Sequence, residues 1–219
     1  MTTRVVRDDA AGRARATEIL RGGGLVALPT DTVYGIAVDL ASPGGIDRLF
    51  AAKGRPPDKG VMLLLAESAQ AADVGIWGEA AGALAAAFWP GGLTLVLPQR
   101  PGRALPPALT GGRPTIGVRL PDHPAPRALA TAMGPLPTTS ANASGSPEAS
   151  DAREIVEALG EAVDLVLDGG PAHGGPASTV VDLSLERPTI LRVGAIPVDR
   201  IEAILAAAGV SLAPADVGR

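Results

Sequence analysis

The feature that most constrains this chain is a series of short apolar runs cut off by proline or glycine. Leu25-Val26-Ala27-Leu28 ends at Pro29, residues 61–65 are apolar without interruption, and residues 93–97 follow Trp89-Pro90-Gly91-Gly92. Runs this brief and so bounded read as buried strands rather than helices. The run 61–65 predicts a central strand covered on both faces. Further strands are expected at 33–38, 115–119, 136–139, 163–167, 178–183 and 189–193. Helical periodicity places helices at 10–21, closed by Gly22-Gly23-Gly24, and at 46–52, 80–88, 126–133, 152–159 and 198–208. Some adjacent strands lack a crossover helix between them, so the α/β fold should carry a mixed sheet. At 219 residues, one large domain over 1–209 is expected, with a loose tail over 210–219.

Composition removes several kinds of chemistry. Aromatics are only 2% of the chain, which argues against recognition by base stacking. There is no cysteine, so disulfides, thiolate catalysis and Cys-ligated zinc are excluded. His123 and His173 are far apart and form no helical metal pair, leaving oxygen-ligated Mg²⁺ as the plausible metal. The amino-terminal stretch MTTRVVRDDAAGRARA is charged throughout and is no signal peptide, and no window reads as a transmembrane helix. A cytoplasmic protein is expected. The net charge of −4 speaks against binding nucleic acid over the whole surface, though a local basic cleft stays open as an alternative.

The basic side chains are unevenly chosen. Of 19 Lys plus Arg residues only Lys53 and Lys59 are lysine, and both lie in Lys53-Gly-Arg-Pro-Pro-Asp-Lys59. A compact ammonium used twice in one proline-framed loop suits a phosphate or carboxylate; a solvated charge run is the bland alternative.

No GxxxxGK[ST] and no strand-to-helix GxGxxG is present, so nucleotide binding would need another arrangement. Besides the lysine loop, four segments place polar groups at strand ends, where open α/β sheets bind ligands. Pro29-Thr30-Asp31-Thr32-Val33-Tyr34-Gly35 delivers hydroxyls and a carboxylate, which equally suit a turn or a helix cap. Residues 115–121, Thr-Ile-Gly-Val-Arg-Leu-Pro, end a strand on Arg119, fit for an anion or for a salt bridge. Thr138-Thr139-Ser140-Ala141-Asn142-Ala143-Ser144-Gly145, with Ser150 beyond it, offers uncharged donors and acceptors, or merely linker composition. Ser178-Thr-Val-Val-Asp182 and Leu191-Arg192-Val193-Gly194 follow a glycine-rich connection that could approach a ligand or simply move.

In order and spacing, PTDTVYG, AKGRP, GVRLP, TSANASG, STVVD and LRVG resemble the YrdC-like family, from about Gly23 to about Leu205. The resemblance implies a single twisted, open mixed sheet flanked by helices, with a deep concave cleft. It further implies an enzyme, a nucleotidyltransferase, that makes L-threonylcarbamoyladenylate from ATP, L-threonine and bicarbonate or CO₂ and releases pyrophosphate. The product would serve tRNA threonylcarbamoyladenosine modification, with the tRNA threonylcarbamoyl-transfer machinery as partner and at most a weak RNA contact. The resemblance is to the short form, without an extra carboxy-terminal domain.

Carried over residue by residue, it implies Lys53, Arg55, Lys59, Thr115, Ser140, Asn142, Ser150 and Arg192 around ATP, with Lys53 and Arg55 catalytic. It implies Thr30, Arg119 and Ser178 around threonine. Ser150 stands where many relatives carry Thr, which keeps the hydroxyl. Mg²⁺ would be carried by ATP rather than by a direct protein ligand. No covalent nucleophile is required, and alignment with charge compensation would do the chemistry. The competing readings are a non-catalytic RNA-binding module using the same basic cleft, and a carbamoyl-transfer domain of hydrogenase maturation. The second normally sits in longer chains with zinc-finger-like cysteines.

Overall fold

The structure, a computed structural model, describes residues 3–54, 56, 60–172 and 175–213. Among them ten strands form one sheet: Arg4–Arg7 (β1), Val26–Leu28 (β2), Gly35–Ala37 (β3), Met62–Leu64 (β4), Leu93–Pro98 (β5), Thr115–Arg119 (β6), Leu136–Ser140 (β7), Leu165–Asp168 (β8), Thr179–Asp182 (β9) and Thr189–Arg192 (β10). The order across the sheet is β1-β8-β2-β3-β7-β4-β6-β5-β9-β10. Pairs β1–β8, β2–β8, β4–β6 and β5–β9 are parallel, and the others antiparallel, giving the mixed sheet expected from the missing crossover helices. The α-helices are Ala10–Arg21 (α1), Gly45–Lys53 (α2), Ala71–Val74 (α3), Glu79–Phe88 (α4), Pro107–Thr110 (α5), Pro124–Met133 (α6), Ala152–Leu159 (α7) and Val198–Ala207 (α8). Among the described residues no helix is long and apolar enough to cross a membrane.

Three short elements carried no periodic signal. The strand β1 is four residues, Arg-Val-Val-Arg, at the sheet edge, held by parallel pairing to β8 rather than by an apolar run. Helices α3 and α5 are single turns. Residues 210–213, expected in the loose tail, continue the packed chain: Val210 and Leu212 lie against the core, and Ala213 N donates to the Pro188 carbonyl at 2.8 Å.

Alternation along the strands separates two cores. Val26, Leu28, Leu165 and Leu167 pack with Ala16 and Leu20 of α1 and Leu129 of α6. Ala27, Ile36 and Val166 turn to the opposite face and join Leu49 of α2, Leu84 of α4, Ile155 of α7 and Ile201 of α8. This larger core continues under the rest of the sheet through Leu63, Leu65, Leu93, Leu95, Leu97, Ile116, Val118 and Val181. Their neighbours Met62, Leu64, Thr94, Val96, Thr115, Gly117, Arg119 and Val180 point the other way and line a cavity. The run 61–65 is therefore covered by core on one face only. Leu64 is still buried, because the concave surface shields it from water, and so its cleft-facing position reads as apolar as a core position.

Candidate functional site

The uncovered face of β7, β4, β6, β5 and β9 forms the floor of a cavity of about 520 Å³, a size ordinary for small-molecule sites. Sheet pairing explains how distant segments meet there. Gly35 of β3 is opposite Ser140 of β7, and Ala141 N donates to the Tyr34 carbonyl at 2.8 Å, so PTDTVYG lies beside TSANASG. Parallel pairing of Leu93 with Thr179 brings STVVD beside β5. Between Ile190 and Arg192 the register of β10 shifts, and this irregularity sets Arg192 opposite Val180. A bulge of this kind re-aims a side chain, and Arg192 lines the cavity.

At one end of the cavity stands Arg119, only 3% exposed. Its Nη2 donates to Asp31 Oδ1 at 2.7 Å, its Nη1 to Thr32 Oγ1 at 2.8 Å, and its Nε to the Gly91 carbonyl at 3.0 Å. Burial lowers its pKa from the ordinary arginine value, Asp31 opposes that, and the nearby Arg192 guanidinium adds to the lowering. Arg119 and Arg192 thus line one cavity, and Asp31 is paired with the first. Thr30 Oγ1 accepts from Thr32 N at 3.1 Å and Val33 N at 3.2 Å and donates to the Val33 carbonyl at 2.6 Å. Thr30 thus builds the turn and also lines the cavity.

Arg192 grips Ser178. Nε donates to the Ser178 carbonyl at 3.0 Å and Nη2 to Ser178 Oγ at 3.1 Å. Ser178 Oγ is also 2.8 Å from Thr94 Oγ1. The two residues assigned to different substrates, Ser178 and Arg192, are direct partners.

The lysine assignment leads to a second cluster. Lys53 ends α2, where the helix dipole favours a cation, and Gly54 turns the chain away with φ 58° and ψ 34°, a left-handed conformation that favours glycine. The ammonium donates to the Ser140 carbonyl, to Ser140 Oγ at 3.3 Å and to Asn142 Oδ1 at 3.1 Å. Ser140 Oγ donates to Asn142 Oδ1 at 2.6 Å, and Asn142 Nδ2 to the Ser146 carbonyl at 2.6 Å. Lys53 is 4% exposed and Asn142 8%, so both stand behind Ser140, which faces the cavity. Arg55 and Lys59 lie outside the described residues.

Thr115 lines the cavity at the far end of β6. Ser150 is not among the lining residues; it accompanies the cap of α7, its N and Oγ donating to Glu154 Oε2 at 2.7 and 2.8 Å while Asp151 caps the helix by accepting from Glu154 N. Thr94, Thr32, Tyr34 and Asp182 also line the cavity; the last three lie inside motifs the sequence singled out but were not named as site residues, and Thr94 lies outside every such motif. The one signal that could have found Thr94 is that it is the single polar residue of 93–97. Tyr34 Oη accepts from Gly169 N at 3.1 Å and donates to the Gly170 carbonyl at 2.6 Å, pinning the start of the glycine-rich connection; burial raises its pKa, so it stays protonated. Cations and hydroxyls around a recessed floor are suited to aligning anionic reactants and offsetting charge that develops between them.

The sequence and the fold both find relatives among known proteins. Residues 18–194 match the Sua5/YciO/YrdC family model, whose description is "Telomere recombination". The chain is 39% identical over 213 residues to a putative threonylcarbamoyl-AMP synthase of Mycobacterium leprae, covering 93% of this chain and 92% of that one. It is 38% identical over 194 residues to the threonylcarbamoyl-AMP synthase of Bacillus subtilis, covering 88% of this chain and 56% of the relative. A crystal structure of P. abyssi Sua5 complexed with L-threonine superposes with a TM-score of 0.88 at 34% identity, covering 99% of this chain and 63% of that one. This chain thus spans little more than half the length of some relatives and nearly all of others. A family-model match over most of the sequence, joined to close superposition on a solved Sua5 structure, establishes that the chain belongs to the Sua5/YciO/YrdC family.

Proposed function

We propose that this protein is an L-threonylcarbamoyladenylate synthase acting in the cytoplasm for tRNA threonylcarbamoyladenosine modification. The observation that carries this reading is the shared pocket of Arg119 and Arg192, one already neutralised by Asp31 and the other resting on the neutral oxygens of Ser178. Such a site suits an amino-acid carboxylate and a phosphate side by side. The relatives' names and the threonine complex of P. abyssi Sua5 support the choice of reactants.

In this reading the threonine amine adds to CO₂, derived from bicarbonate, and loses a proton to give a carbamate. A carbamate oxygen attacks the α-phosphorus of ATP, the bond from that phosphorus to the bridging oxygen breaks, and pyrophosphate leaves with the electron pair. Thr30, Arg119 and Ser178 would hold threonine. Lys53, Arg55, Lys59, Thr115, Ser140, Asn142, Ser150 and Arg192 would serve ATP. Lys53 meets three acceptors among the described residues, so a phosphate contact would compete with these. Ser150 would first have to give up Glu154. Among the described residues no group of three or more His, Cys, Asp or Glu side chains gathers. The cleft's cations and hydroxyls fit a triphosphate that brings its own Mg²⁺, which would add charge compensation. The tRNA threonylcarbamoyl-transfer machinery would take up the product.

The test is pyrophosphate release. It should require threonine and bicarbonate together, and release indifferent to either one overturns the reading. Lys53→Ala and Arg55→Ala should each abolish turnover while circular dichroism stays native; wild-type rates in both would remove ATP from this cleft.

A further inference from the structure

Thr94 interrupts an otherwise apolar strand. Leu93, Leu95 and Leu97 enter the core, whereas Thr94 faces the cavity floor and is 3% exposed. Valine has nearly the same shape, favours strands at least as much and would spare the desolvation of a hydroxyl. The hydroxyl therefore needs a reason, and Ser178 Oγ at 2.8 Å supplies it. Thr94 is opposite Val180 on β9, and Val180 is opposite Arg192 on β10, so the three occupy one row across the sheet.

Counting protons on the row restricts what each oxygen can do. A serine hydroxyl has one proton and two acceptor sites, and a guanidinium only donates. Ser178 Oγ accepts from Arg192 Nη2, leaving one acceptor site and one proton. Without a ligand, Ser178 can donate to Thr94, and Thr94 in turn to Met62 Sδ at 3.8 Å, a weak acceptor. If Thr94 instead donates to Ser178, both acceptor sites of Ser178 are filled and its proton is directed into the cavity. Two donors on one oxygen also polarise the remaining O–H.

Building on the synthase reading, we propose that Thr94 is a positioning residue for the amino-acid substrate. It turns its hydroxyl from Met62 to Ser178 on binding, so that Ser178 presents its proton to an acceptor oxygen of threonine. Thr94 itself need not touch the substrate.

The experiment compares wild type, Thr94→Val, Thr94→Ser, Ser178→Ala and the Thr94→Val/Ser178→Ala double variant. Calorimetry measures L-threonine and ATP binding separately, and pyrophosphate release gives KM and kcat. Thr94→Val should weaken threonine binding and raise its KM by about five- to tenfold, with kcat and the KM for ATP little changed. Thr94→Ser should restore wild-type threonine affinity. In the Ser178→Ala background Thr94→Val should add little further loss, because Thr94 acts through Ser178. If Thr94→Val does not fold, Thr94→Cys, a much weaker donor, carries the same expectation. Unchanged threonine affinity, equal losses for threonine and ATP, or full additivity in the double variant would each overturn the assignment. A wild-type protein that binds no threonine overturns the synthase reading itself, and the assignment with it.

Discussion

Arg119 and Asp31 stand 88 positions apart in sequence and meet at 2.7 Å in the wall of the cleft. The pair is mostly shielded from water, with the arginine side chain 4% and the aspartate side chain 16% exposed. Removing one partner of such a pair leaves a buried charge without its counter-ion. Asp31→Ala should cost about 3 kcal/mol in urea unfolding, and it should free Arg119 to move. A loss of only a few tenths would show that Thr32 and the Gly91 carbonyl suffice to hold the guanidinium.

Thr179 does for the main chain what Asp31 does for Arg119. Fully buried, its hydroxyl donates to the Ile196 carbonyl at 2.7 Å and accepts from Gly194 N at 3.0 Å and Ile196 N at 2.9 Å. Thr179→Val keeps the shape but leaves two main-chain donors and one acceptor without that partner. A destabilisation of about 2–3 kcal/mol is expected by denaturant unfolding, on the cost of unsatisfied buried groups. Because the clamp fixes the segment just after Arg192, threonine and ATP binding should weaken together, unlike the selective loss expected at Thr94.

Gly194 is required by close approach rather than by its backbone angle. A Cβ there would lie 2.1 Å from the Ala177 carbonyl oxygen and 2.6 Å from the carbonyl carbon of Ser178. Gly194→Ala must push apart the two segments that hold Ser178 and Arg192. The expected outcome is a loss of about 3 kcal/mol with impaired pyrophosphate release, read by thermal unfolding and activity. A fully active, fully stable alanine variant would contradict the observed packing.

Glu154 gives a pH signature away from the cleft. Hydrogen bonds from Ser150 N and Ser150 Oγ lower its pKa below the ordinary glutamate value. A carboxylate with a lowered folded-state pKa binds its proton less readily folded than unfolded. Its contribution is thus present above the unfolded value and lost as pH falls through the folded one. Glu154→Gln should flatten that part of the acid-side stability profile, and carbon-detected NMR of wild type should find Glu154 titrating below the exposed glutamates. An ordinary titration would show that the Ser150 contacts do not persist in solution.

The short apolar runs, their glycine and proline boundaries and the order of the polar strand ends were determined by the sequence alone, because strand formation and termination depend on local propensity and period. The same reading grouped Lys53 with Ser140 and Asn142, and Arg119 with Ser178, only through resemblance to a family. Tertiary structure decided the rest. Both faces of a central strand read as apolar, so the run 61–65 could not tell that Leu63 enters the core while Leu64 faces a cleft. A strand of four residues with arginine at each end, β1, needed its partner β8 before it could form. That Ser150 bonds Glu154 at the start of α7 is likewise a contact no reading of the local sequence supplies. The Asp31–Arg119 pair, the grip of Arg192 on Ser178 and the hydroxyl of Thr94 behind it all depend on strand order and register. Those are fixed by burial summed over the whole sheet, and no local stretch of sequence carries that sum.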